Sequence, residues 1–381
     1  MELNDNIIKF KIEPHSPEWF QFRTTGMKDY EGGVGSSEIG KVCGYDQYPP
    51  VLAELYHHKI GTYSPELIDN EATHHGKYLE EYVAMNWQHY QGTTESYIKG
   101  YNRWMKAGKP DDLLFRKCHP VLAYLVNVDI PWIFVSCDYI IDAGSKSLRT
   151  GKVLGKPCPL EIKTMSGMQA QMWEEGMPRK YIYQVHSQMM VLGVDYGEIA
   201  VLIDGRNLKV YSFHRNDKIC DEILTKTRDF WFKHVRPGRK YYQELLKYQS
   251  TGESLGIQQS LEMIDRYEPG PDNTKEYEAW LKKKYHDDFK KPLRVKGDFS
   301  FYNLAKEIQV LNSIGKEIDY KIQHRRNILL NQMISTGVGE VYWGEEDKVK
   351  ITTDQKLRVD LNIDREVIKS GVKALDVKKY F

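Results

Sequence analysis

Cysteine is scarce in this chain and nothing about its spacing suggests pairing. The five residues, Cys43, Cys118, Cys137, Cys158 and Cys220, are scattered and odd in number, and none stands in C-x-x-C spacing. That argues against zinc and iron–sulfur sites and fits a reducing compartment. A charge imbalance is also lacking: 54 Lys and Arg against 53 Asp and Glu leave +1. Overall charge therefore gives no sign of nucleic-acid binding, so any such contact must come from a local basic surface. No apolar run is long enough to span a membrane, and Met1-Glu2-Leu3-Asn4-Asp5 lacks a basic-then-apolar signal. The expected location is the cytoplasm. Tandem repeats are absent. What is present is 381 residues, 41% hydrophobic and 12% aromatic, enough for one large domain and one smaller unit.

The richest stretch is Pro159-Leu160-Glu161-Ile162-Lys163. In a strand, residues two apart point to the same face, so Glu161 and Lys163 should project side by side. Upstream, Val135-Ser136-Cys137-Asp138-Tyr139-Ile140-Ile141-Asp142 reads as a second strand carrying an acid. Asp138 with Glu161 gives a pair of hard-oxygen ligands suited to Mg²⁺, with Mn²⁺ as a substitute. A lysine beside them can orient a metal-bound water. Such a set suits hydrolysis of a phosphodiester.

Around these strands the pattern alternates between helix and strand, an α/β order. Helices are expected over 17–25, 51–60, 73–90, 180–192 and 217–235, and strands near 133–141, 159–164, 198–204 and 208–214. The Gly-rich segment 32–40 reads as a turn into a helix, with Ser36 or Ser37 as N-cap. Residues 95–131 read as an irregular insertion and 144–152 as a loop or extended hairpin. Past Pro237 the texture changes. Residues 252–272 read as a linker, 275–284 and 302–336 as helices, and 339–353 as a small β-hairpin. The expected domains are a core over 1–240 and a helical extension over 241–381.

The order of motifs resembles the YqaJ-like viral recombinases, the family of the phage lambda exonuclease within the PD-(D/E)XK nucleases. The resemblance runs over about residues 15–240. It rests on Glu18-Trp19-x-x-x-Arg23, Val34-Gly35-Ser36-Ser37-Glu38-Ile39, His75-Gly76-x-x-x-Glu80, Ser136-Cys137-Asp138, Leu160-Glu161-Ile162-Lys163, Tyr183-Gln184-x-x-x-Gln188 and Trp231–Val235. Cys137 replaces the family's usual Pro, and Asp138 and Glu161 are unusually far apart. The resemblance implies a restriction-endonuclease-like core, a mixed central sheet flanked by helices, here followed by a helical arm and a hairpin. It also implies a Mg²⁺-dependent exonuclease that resects linear double-stranded DNA 5′ to 3′, a single-strand annealing protein as partner, and a trimeric ring. An endonuclease on the same core, or a binding protein without cleavage, are the alternatives.

On this reading Asp138, Glu161 and the Ile162 carbonyl are metal ligands, and Glu80 completes the acidic cluster. Lys163 positions the attacking water and offsets charge on the phosphate. Gln184 and Gln188 are one helical turn apart on one face and can bond the scissile phosphate or the lysine. Arg23, Ser36 and Ser37 are candidates for a 5′-phosphate pocket, since Arg gives bidentate phosphate contacts and a helix N-terminus adds donors. Ser136 belongs to the same DNA-contacting set.

Overall fold

Short β-rich segments punctuated by turns, alternating with amphipathic helices, build an α/β structure whose first unit holds two sheets. The computed structural model describes residues 5–13, 16–46, 48–64, 71–171, 173, 176–272, 274–285, 299–335, 340–342, 348–351 and 357–360. The chain divides into two compact units, Met1–Asp287 and Asp288–Phe381.

The first unit opens with β1 (Ile7–Phe10), α1 (Pro17–Arg23), β2 (Val34–Gly35), α2 (Ile39–Val42), α3 (Leu52–Ile60), α4 (Glu71–Trp87) and α5 (Thr94–Lys106). Four strands follow: β3 (Cys118–Pro120), β4 (Tyr124–Asn127), β5 (Ile133–Val135) and β6 (Tyr139–Ile141). Next come β7 (Cys158–Met165), α6 (Gly167–Gln171), α7 (Arg179–Leu192), β8 (Tyr196–Ile203) and β9 (Asn207–His214). The unit closes with α8 (Asp217–Asp229), α9 (Arg236–Thr251), α10 (Ser254–Tyr267) and α11 (Lys275–Lys284).

A 4-stranded sheet runs β1-β4-β5-β2 and a 5-stranded sheet runs β3-β6-β7-β8-β9. Both are mixed: β2 pairs parallel with β5 and β7 with β8, and the other neighbours are antiparallel. β8 is buried along its whole length, as befits a strand covered on both faces. α7 packs against β4, β5, β7 and β8, so it bridges the two sheets; α4 packs on β7 and β8. Behind the larger sheet, Glu198 is fully buried and takes hydrogen bonds from Trp87 Nε1 at 2.7 Å, Arg116 Nη1 at 2.6 Å and the Tyr196 hydroxyl. These donors satisfy a carboxylate that would otherwise be costly to bury.

Several expectations are corrected. The apolar run 133–141 is not one strand. It breaks at Ser136-Cys137-Asp138, with β5 in one sheet and β6 in the other. Residues 95–131 are not irregular: α5 buries Tyr97, and β3 and β4 join the two sheets. Residues 252–272 are not a linker, because α10 lies on α9. Its packing face is Gly256, Ser260 and Ile264, and a Cβ on Gly256 would stand 2.6 Å from the Tyr248 ring. Gly238 of α9 meets α3 in the same way: a Cβ there would run into the Tyr56 hydroxyl. The Tyr56 hydroxyl in turn donates to Ile264 O at 2.8 Å. These close approaches carry the first unit past residue 240. A π-helical stretch, Phe230–Val235, joins α8 to α9 just before Pro237, whose missing N–H disfavours a regular α-helical turn there.

Among its described residues the second unit holds a 37-residue helix, α12 (Phe299–Ser335), and three antiparallel strands, β10 (Glu340–Tyr342), β11 (Lys348–Ile351) and β12 (Leu357–Asp360). The expected hairpin is thus β10 and β11, with β12 added. Among the described residues no helix is long and apolar enough to cross a membrane.

Candidate active site

The break between β5 and β6 decides the geometry. β6 pairs with β7 only as far as Tyr139 opposite Leu160. Beyond that point no strand among the described residues pairs with β7 on this edge, and the Asp138 carboxylate takes that place: Oδ2 accepts the Ile162 N–H at 2.7 Å. The N–H and C=O of one strand residue point to the same edge, so the Ile162 carbonyl faces the Asp138 side as well. Glu161 and Lys163 share the next face of β7. The Lys163 ammonium contacts Glu161 Oε1. Helix α7 supplies two amides to the same carboxylate: Gln184 Nε2 donates to Oε1 at 2.5 Å and Gln188 Nε2 to Oε2 at 2.6 Å. Gln188 Nε2 also reaches the Ser136 carbonyl at 3.1 Å. Ser136 therefore enters the site through its backbone.

Electrostatics follow from burial and crowding. Glu161 is 2% exposed. Burial raises the Asp138 pKa well above the usual carboxylate range; Glu161 and Glu80 raise it further, against Lys163 and the Ile162 N–H. Burial also raises the Glu80 carboxyl, with Glu161 adding and Lys163 opposing. Glu80 on α4 thus lies within electrostatic reach of the cluster. Burial works to lower the Lys163 ammonium, but Glu161 and Asp138 outweigh it and hold the pKa above its ordinary value. That direction favours the charged form of Lys163.

Arg23, from the end of α1, lies at a separate cavity of about 410 Å³ lined by Trp19, Ser37, Glu38, Lys41, His58 and Lys59, among others. Arg23 Nη2 donates to Ser37 Oγ at 3.4 Å and stands 3.6 Å from Glu38 Oε1. Its guanidinium lies 4.9 Å from the Trp19 ring centroid. Ser36 is buried and not among the lining residues. Neither serine caps a helix: Gly35 takes the N-cap of a 3₁₀ turn, and its N–H donates to Glu38 Oε2 at 2.7 Å. Glu38, part of the motif that carries the resemblance, forms a 2.7 Å ion pair with Lys59 that the sequence does not disclose. The two lie far apart in sequence, and no spacing rule links them.

Residues 18–195 match the family model described as YqaJ-like viral recombinase domain. All the residues just described, from Trp19 to Gln188, fall inside that range. In fold comparisons this chain is similar to the alkaline exonuclease LHK-Exo from Laribacter hongkongensis, at 16% identity over 62% of this chain and 99% of that one, with a TM-score of 0.40. It is similar also to a phage related exonuclease from Haemophilus somnus 129PT, at 13% identity over 52% and 93%, with a TM-score of 0.30. No curated protein matches.

The donor set of this site suits a divalent cation. Asp138, Glu161 and Glu80 bring three carboxylates near one ammonium; burial first, and then the charges of Glu161 and Glu80, raise the Asp138 carboxyl. Gln188 Oε1 is buried with no hydrogen-bond partner among the described residues, an acceptor left open in the same place. As arranged, however, no three His, Cys, Asp or Glu side chains among the described residues are grouped closely enough to hold an ion. Glu161 spends both oxygens on N–H donors, so binding a metal requires it to exchange at least one of them.

Proposed function

We propose that this protein is a divalent-metal-dependent DNA exonuclease that resects linear duplexes from the 5′ end. The observation that carries the reading is the meeting of Asp138 with the Ile162 N–H and of Glu161 with Lys163, Gln184 and Gln188, inside a YqaJ-like domain. Asp138, Glu161, the Ile162 carbonyl and Glu80 are the residues that would hold Mg²⁺ or Mn²⁺. The metal would supply Lewis acidity and an acidified water.

The chain's own groups do the rest. The Ile162 N–H fixes the Asp138 carboxylate. The two glutamines fix Glu161 and keep it from swinging toward solvent. Lys163, held protonated, points a cation at charge that develops on the phosphoryl oxygens. The Arg23–Ser37 cavity offers a guanidinium and a hydroxyl to a terminal phosphate, and this supports end-directed cutting. A ring-like homo-oligomer and a single-strand annealing partner belong to the same reading; sedimentation would test the first and co-purification the second. Incubation with end-labelled linear and closed circular DNA, with and without Mg²⁺, tests the function. Loss of linear duplex alone, in Mg²⁺ alone, is expected. Cutting of circles would move the assignment to an endonuclease, and no cutting of either would remove it.

A further inference from the structure

One cavity beside the site is not used by this mechanism. β7 continues past Lys163 to Thr164 and Met165, which line a cavity of about 360 Å³. Met165 shares the face of Lys163 and lies two residues on, about 7 Å along the strand. The start of α7 closes the same cavity with Lys180 and Tyr181, and Tyr181 is one helical turn from Gln184. The cavity therefore adjoins the place where a phosphodiester would meet Glu161 and Lys163.

Its walls are aromatic and cationic. Tyr48, Trp173 and Tyr181 contribute rings, while Asp46 and Gln169 contribute polar groups. Trp173 and Tyr181 lie 5.2 Å apart. The Lys180 ammonium stands 4.8 Å from the Tyr48 ring centroid and 5.2 Å from that of Tyr181. It is also 3.4 Å from Asp46 Oδ1. Tyr48 is 64% exposed, so its ring has no core to serve. Flat rings beside a cation, with a few polar edges, suit a nucleobase and its phosphate; stacking of this kind is tolerant of base identity.

We propose that Tyr48, Trp173, Tyr181 and Lys180 form a subsite that stacks one unpaired base of the strand whose phosphate lies at Glu161 and Lys163. The proposal rests on the nuclease reading. It would explain how a duplex end is held frayed while one strand is cut.

The test uses the full chain in excess chelator, where no cutting occurs. Oligonucleotide duplexes carry 2-aminopurine at successive positions from the 5′ end. Quenching confined to one register is expected. Tyr48→Ala and Trp173→Ala should each weaken binding roughly 5- to 100-fold and abolish that quenching, while Trp173→Phe retains it. An abasic site at the same register should weaken wild-type binding by a similar factor and make Tyr48→Ala silent. Equal quenching at all registers, or unchanged binding by Tyr48→Ala with the intact base, would overturn the subsite. Failure of the nuclease reading shows separately, as wild-type protein that leaves linear DNA whole in Mg²⁺.

Discussion

Removing the Arg23 guanidinium should erase a preference for 5′-phosphorylated ends without unfolding the protein. The structure sets both halves of that expectation. Arg23 reaches Ser37 and Glu38 at the rim of its cavity. A charge-assisted bond to phosphate contributes about 1.5–3 kcal/mol, which corresponds to roughly 10- to 150-fold in relative rate. Glu38 is not orphaned in Arg23→Ala, because Lys59 keeps its 2.7 Å contact. The lost stacking on Trp19 and Phe134 costs about 1 kcal/mol, which a domain of this size tolerates. The assay is the initial rate on two duplexes that differ only in 5′-phosphate or 5′-hydroxyl. Wild type should favour the phosphate; Arg23→Ala should cut both at the slower rate and keep its metal dependence. A variant that keeps the preference, or a wild type that has none, would refute the reasoning.

Cleavage should require Mg²⁺ or Mn²⁺ and be blocked by Ca²⁺, whose looser coordination activates water poorly; full activity in excess chelator would contradict this. A second expectation concerns stability. Burial raises the Glu268 carboxyl, but His57, at 3.0 Å, and Lys284 outweigh it and take it from 4.5 to about 2. The folded pKa is the lower, so the contribution is present above 4.5 and lost as pH falls toward 2. Glu268→Gln should therefore cost about 3 kcal/mol at pH 7 and close to nothing near pH 2. Urea melts across that range measure it, and a pH-independent difference would count against the assignment.

Much of the site was legible because it obeys local periodicity. Glu161 and Lys163 are two apart on a strand, and Gln184 and Gln188 four apart on a helix, so pattern alone placed each pair on one face. Asp138 was legible as an acid but not as a break. The surrounding apolar run reads as one strand, and nothing local says that β5 and β6 belong to different sheets. Yet that break is what aims the carboxylate at the Ile162 N–H. α10 was missed because its packing face is Gly256, Ser260 and Ile264: small residues that fit against tyrosine give no hydrophobic period. α5 was hidden by aromatic and charged residues that mask its stripe. The Glu38–Lys59 pair was beyond reach, since only the tertiary fold joins those two helical segments.

The central claim is that Asp138, Glu161 and Lys163 act on the phosphodiester rather than hold the fold or the duplex. The direct measurement is cleavage of end-labelled linear DNA in Mg²⁺ by Asp138→Ala, Glu161→Ala and Lys163→Ala, each checked for melting temperature and DNA affinity. The account predicts that all three lose cleavage while melting cooperatively and binding duplex about as well as wild type; losing a carboxylate can improve binding by easing repulsion of phosphate. Cleavage by Asp138→Ala at near wild-type rate would contradict it.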